Sequence, residues 1–91
     1  MKIALVTGAY KGMGFEWCRQ LGERGYKVIL TARNLDNAKE AAERLNKEDL
    51  FIYPKALEVT RENQIHDIVL WAEAFFGRID LIVNNAGINP K

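Results

Sequence analysis

Three glycines, Gly8, Gly12 and Gly14, fall within the stretch Thr7-Gly8-Ala9-Tyr10-Lys11-Gly12-Met13-Gly14, between a short apolar run and a helical pattern. A turn at that junction aims unpaired backbone N–H groups, and the positive end of the helix dipole, at one point. Such a point suits a phosphate or pyrophosphate. The glycines have separable tasks: Gly8 permits the tight turn, Gly12 lets backbone approach a ligand, and Gly14 lets helix and strand pack closely. The spacing is G-x3-G-x-G rather than G-x-G-x-x-G, and no Gly-Lys-Ser/Thr closes it as in a P-loop. Three ordinary turn glycines are the plainer reading. It fits less well, because Gly14 falls inside the helix start, where glycine costs stability. A second cluster, Asn84-Asn85-Ala86-Gly87, follows the last apolar run, and simple turn chemistry also accounts for those residue types.

Other reactive groups are sparse. The chain has one cysteine, one histidine and no serine. Cys18 lies on the apolar stripe of the first helical segment and is expected to be inert packing. A lone Cys rules out an internal disulfide and a cysteine-based zinc cluster, and no ligand set for a metal is visible. His66 sits alone in an amphipathic helix and reads as a surface or structural residue. Formal net charge is +1, from 13 Lys+Arg against 12 Asp+Glu. That balance offers no electrostatic case for nucleic acid or an anionic membrane, and no apolar run approaches the ~20 residues of a membrane span. The expected setting is a reducing cytoplasm.

The elements that must position the glycine loop follow from periodicity. Apolar runs without alternation at 2–7, 27–32, 51–57 and 81–83 suit strands of a parallel sheet. Helical stripes lie between them. The first runs from about Met13 to Arg24, with Met13, Trp17, Cys18 and Leu21 on its inner face. The second runs from about Leu35 to Lys47, on Leu35, Ala38, Ala41, Ala42 and Leu45. The third follows Thr60 as N-cap, with Ile65, Ile68, Val69, Ala72, Phe75 and Phe76. Trp71 and Leu70 stand off that stripe as contact candidates. The order β-α-β-α-β-α-β argues for one α/β domain spanning residues 1–91. Pro54 cannot donate to a ladder, so the third strand is an edge, and right-handed crossovers then give strand order 3-2-1-4.

With both motifs in register with the strands, the whole chain resembles the short-chain dehydrogenase/reductase family. Residues 7–14 and Thr31-Ala32-Arg33-Asn34 look most like its carbonyl-reductase-like members. The resemblance implies half of a Rossmann fold, a nicotinamide dinucleotide cofactor and carbonyl/alcohol hydride transfer. It implies that the cofactor is lined by Gly8, Tyr10, Lys11, Gly12, Met13, Gly14, Arg33, Asn34, Glu58, Val59, Asn85, Ala86 and Gly87, and that Asn84 ties neighbouring strands together. An NAD site usually carries an acid at the end of the second strand to bond the ribose 2′-OH. Here Thr31-Ala32-Arg33-Asn34 has none, and Arg33 with Lys11 could bond a 2′-phosphate. NADP(H) is therefore expected over NAD(H). Glu58 departs from the family's usual Asp after the third strand, and its side-chain role there is open against that of a solvated loop acid.

The family's chemistry also needs a tyrosine acid, a lysine four residues on and usually a serine. The positions four residues after Tyr10, Tyr26 and Tyr53 are Gly14, Leu30 and Leu57, so no Tyr-x3-Lys occurs and no catalytic residue is assigned. The chain reads as the N-terminal half of a reductase beginning at Met1. The alternative is a complete, non-catalytic nucleotide-binding or self-associating module. In either case the fourth strand is expected to be an open edge that associates with a second copy or with a complementing C-terminal segment.

Overall fold

Four parallel strands and three helices make up the computed structural model, which describes residues 1–9, 11–57 and 62–85. The elements are β1 (Ile3–Val6), α1 (Gly12–Glu23), β2 (Lys27–Ala32), α2 (Leu35–Asn46), β3 (Phe51–Ala56), α3 (Glu62–Phe76) and β4 (Leu81–Val83). The sheet order is β3-β2-β1-β4, as expected for a half-Rossmann arrangement, with Val6 beside both Leu30 and Val83. Pro54 lies on the outer strand, opposite Leu30. All four residues of β1 are buried, which is why its sequence shows no alternation: both faces of a central parallel strand are covered.

Each face of the sheet has its own core. On one, α1 and α2 cover Ala4, Val6, Val28, Leu30 and Ile52. The small side chains of Ala38, Ala41 and Ala42 let α2 lie close to the sheet, and Leu45 completes the stripe. On the other, Ile68 and Ala72 of α3 pack over Ile3, Leu5 and Ile29. Trp71, half-buried, joins Tyr53, Phe75 and Phe76 in an aromatic group, stacked on Phe75 at 5.4 Å between ring centroids. Leu70 stays exposed.

The inner faces differ from the expected stripes at four positions. Met13 and Trp17 are exposed, 70% and 42%, and Phe15 is buried in their place with Cys18 and Leu21. The cause is Gly14. Its lack of a side chain brings it against the β1–α1 loop, which fixes the rotation of the helix. Residues 14, 18 and 21 then face inward, and 13 and 17 are each turned about 100° away. Phe15 lies between the guanidinium groups of Arg19 and Arg44. Leu35 is exposed at the first turn of α2, and Phe75 is exposed although its ring meets Tyr53 and Trp71. Thr60 and the side chain of Ile65 lie outside the described residues. Cys18 is fully buried, and burial pushes its thiol up to about 12, so it stays protonated at neutral pH.

Asp80 fastens the start of β4 to β1. It donates its N–H to the Ile3 carbonyl and accepts from the Ile3 N–H, each at 2.8 Å. The Arg78 guanidinium, followed by that N–H, holds the Asp80 carboxyl below its ordinary value. No helix among the described residues is long and apolar enough to cross a membrane, and no group of three or more His, Cys, Asp or Glu among them could hold a metal ion.

Candidate functional site

The C-terminal ends of β1, β2 and β4 meet at the glycine loop, and hydrogen bonds from all three strands hold it. The Thr7 N–H donates to the Val83 carbonyl at 3.0 Å, and the Thr7 hydroxyl donates to Asn84 Oδ1 at 3.0 Å. The Ala9 N–H donates to the Thr31 carbonyl at 2.8 Å, while the Thr31 hydroxyl donates to the Val6 carbonyl at 3.0 Å. The Asn85 side-chain amide donates to the Gly8 carbonyl at 3.1 Å. Thr7, Ala9 and Thr31 are fully buried, and the Thr31–Val6 bond is made away from water, where leaving a polar group unpaired costs most; the bonds to Asn84 and Asn85 are partly buried.

Two glycines show what the frame is shaped for. A Cβ on Gly14 would lie 2.5 Å from the Gly8 carbonyl oxygen and 2.8 Å from the Ala9 Cα, both backbone atoms. Only glycine allows the helix to start this close to the loop. Gly12 has the opposite surroundings. Its φ of +66° belongs to the left-handed region, and a Cβ there would meet nothing within 4 Å. Gly12 borders open space, and Gly14 is closed in from behind. The residues present thus fit an extended phosphate-bearing group lying over Gly12.

The electrostatics point the same way. Lys11 occupies the N-cap of α1 with extended backbone and offers no side-chain hydrogen bond to the helix, and the first turn carries no acid. The leading N–H groups of α1 therefore meet no side-chain cap from Lys11, and the dipole end is not neutralised by a carboxylate. Arg33 is exposed just beyond β2, and no acid lies between Thr31 and Asn34. The Asn34 side-chain oxygen accepts from the Asp36 and Asn37 N–H groups at 2.7 and 3.2 Å, which caps α2 and leaves its amide nitrogen for other contacts.

Of the residues expected to line a ligand, the structure gathers Gly8, Gly12, Gly14 and Asn85 into one loop frame. Lys11, Met13, Arg33 and Asn34 lie around its exposed rim. Tyr10, Glu58, Val59, Ala86 and Gly87 lie outside the described residues. Asn84 does join strands, through the Thr7 hydroxyl. Ala9 and Thr31 stand within the motif stretches, but the motifs give them no role; the bond of the Ala9 N–H to the Thr31 carbonyl ties the loop to β2. The signal available for them was slight: a buried-type threonine at the C-terminal end of a central strand.

The family model for short chain dehydrogenase matches residues 2–91. The chain is 42% identical to (-)-isopiperitenone reductase of Mentha piperita, over 97% of this chain and 29% of that protein. Among solved structures it resembles menthone neomenthol reductase from Mentha piperita, with a TM-score of 0.85 and 40% identity over 97% of this chain and 32% of that one. It also resembles a metagenomic short-chain oxidoreductase in complex with NADP, with a TM-score of 0.81 and 27% identity over 89% of this chain and 37% of that one. The chain spans less than a third of the length of both mint proteins.

Proposed function

This chain belongs to the short chain dehydrogenase family, and from that premise we propose that residues 1–91 are the NADP(H)-binding unit of an oxidoreductase acting on a carbonyl or alcohol, with NADP(H) preferred over NAD(H). The observation that carries the reading is the start of α1: Lys11 supplies no side-chain cap, the first turn has no acid, and Gly12 opens onto free space. The N–H groups of that turn would hold the pyrophosphate, with Gly14 giving the close approach the turn needs. Arg33 and Lys11 would bond the 2′-phosphate, where a carboxylate would repel it. Asn85 holds the loop carbonyl of Gly8. Ala86 and Gly87 for the ribose, and Glu58 and Val59 for the adenine, lie outside the described residues and rest on the family resemblance alone, with the Glu58 side chain open between that role and a solvated loop acid.

When bound, the nicotinamide supplies hydride. This stretch supplies binding and orientation, since it holds neither a serine nor a Tyr-x3-Lys. The alternative reading is a nucleotide-binding or self-associating module without catalysis. NADPH oxidation with a carbonyl substrate separates the two. We also propose association along β4, where Ile82 is 42% exposed, with a second copy or a complementing segment. Sedimentation as a monodisperse monomer would overturn that part.

Calorimetric titration with NADPH and NADH tests the cofactor reading. The expected result is tighter binding of NADPH by about one to two orders of magnitude, which corresponds to one or two charge-assisted bonds partly screened by solvent. Equal affinities would overturn it.

A further inference from the structure

The two outer strands of the sheet are not equally open. In a parallel ladder, successive residues of a strand turn their backbone N–H and C=O groups to opposite sides. The Leu57 N–H donates to the Ala32 carbonyl at 2.8 Å, so the odd-numbered residues of the β3 segment face β2. Ile52, Pro54 and Ala56 then face away from the sheet, toward whatever lies beyond it.

Both outward groups of Ile52 are already taken. The Asn46 side chain, at the end of α2, accepts from the Ile52 N–H at 2.9 Å and donates to the Ile52 carbonyl at 3.0 Å. One amide thus occupies the positions that a neighbouring strand would fill. The next outward residue is Pro54, which has no N–H to offer. Ala56, the last residue of the strand, is the remaining outward N–H position. On the opposite edge, the Thr7 N–H donates to the Val83 carbonyl, so Leu81 and Val83 face β1 and Ile82 turns its N–H and C=O groups outward. No side chain among the described residues bonds them in the way Asn46 bonds Ile52.

We propose that Asn46 and Pro54 together form a lock on the β3 edge that prevents strand addition there, so that any association of this sheet is directed to β4. Long unblocked edges pair with other chains, and proline or a covering group is an established means of preventing it. Here the block is double. It sits on the edge next to the aromatic group of Tyr53, Trp71 and Phe75, where adventitious pairing would also bury apolar surface.

The test compares the parent chain with Asn46→Ala/Pro54→Val and with Pro54→Val alone. Sedimentation velocity is run over a concentration series, with hydrogen exchange resolved along β3 and β4. The double variant is expected to associate at a concentration at least tenfold below the parent's, with new concentration-dependent protection at Ile52 and position 54. Pro54→Val alone, which keeps the Asn46 bonds, is expected to lower the midpoint about threefold. If the double variant fails to fold by circular dichroism, the single variant decides: a lowered midpoint with protection at β3 supports the lock, and no change overturns it. Unchanged association of a folded double variant overturns it. So does new protection confined to Ile82, or a parent chain already protected at β3 as concentration rises.

Discussion

Helices α1 and α2 leave neighbouring strands of one sheet, cover the same face and are each 12 residues long. Their first turns are handled differently. Two residues, Arg33 and Asn34, separate β2 from α2, and Asn34 takes up two of the leading N–H groups. Asp36 in the first turn adds a carboxylate to the positive end of the dipole. A longer loop with two left-handed glycines, Gly8 and Gly12, leads from β1 into α1, where neither a side-chain cap nor a first-turn acid is found. A self-satisfied helix start needs nothing more. One without such provision leaves its donors unclaimed by a capping side chain, as the proposed anion site requires, and the loop frame of Thr7, Ala9, Thr31 and Asn85 holds that turn in place. On the proposed reading, the same backbone feature has a structural use at α2 and a binding use at α1.

Substitutions can break this contrast, and they rank by expected effect. Gly14→Val should do the most harm. The new side chain meets backbone at Gly8 and Ala9, which cannot move aside, and overpacking of this kind should cost about 3 kcal/mol. Urea unfolding should show the loss, and NADPH binding should vanish with it; a variant of parental stability would mean the close approach is not required. Lys11→Asp makes α1 resemble α2. An acidic N-cap should hold or raise stability by up to about 1 kcal/mol while lowering NADPH affinity about a hundredfold. Unchanged affinity in a calorimetric titration would end the contrast, because a helix start with its own cap should refuse the anion.

Arg33→Ala sharpens the comparison at the rim. NADPH affinity should fall about tenfold with NADH affinity unchanged, and equal losses for both would place Arg33 away from the 2′-phosphate. The smallest effect is expected at the cap of α2. Asn34→Ala should cost about 1 kcal/mol in thermal or urea unfolding. Asn34→Asp should keep the cap and the stability while weakening NADPH relative to NADH, since it sets a carboxylate near the end of β2.

The architecture was legible because each strand is an unbroken apolar run and each helix carries a stripe. β2 spans Lys27–Ala32, the range its sequence indicates. Pro54 fixed which strand is outermost, and the handedness of crossovers supplied the rest of the order. The rotation of α1 was not legible from apolar residues, because Met13 and Trp17 form as good an i, i+4 pair as any. It is set instead by a contact of Gly14 with the loop, a tertiary fact. At the site, the glycines and Arg33 are visible as residue types at meaningful positions. Thr31 and Ala9 are not, because a threonine ending a strand is an ordinary β-former until its hydroxyl is seen bonding Val6. The Asn85 bond to Gly8 depends on β4 lying beside β1, which no local pattern specifies.

That last bond bears on when the loop can form. Asn85 and Gly8 are 77 residues apart, as are Thr7 and Asn84. Both contacts close nearly the whole chain into a ring, the slowest kind of closure in a folding reaction. The glycine loop is made early in synthesis and meets Thr31 of β2 soon after, but it gains its remaining partners only when the fourth strand docks. A nascent chain stalled before residue 84 holds every glycine of the loop but neither the Asn84 nor the Asn85 bond to it, so its dinucleotide affinity should lag until both have cleared the ribosome. Dinucleotide capture then becomes a clock for the docking of β4, set by Asn84 and Asn85 and read at Thr7 and Gly8.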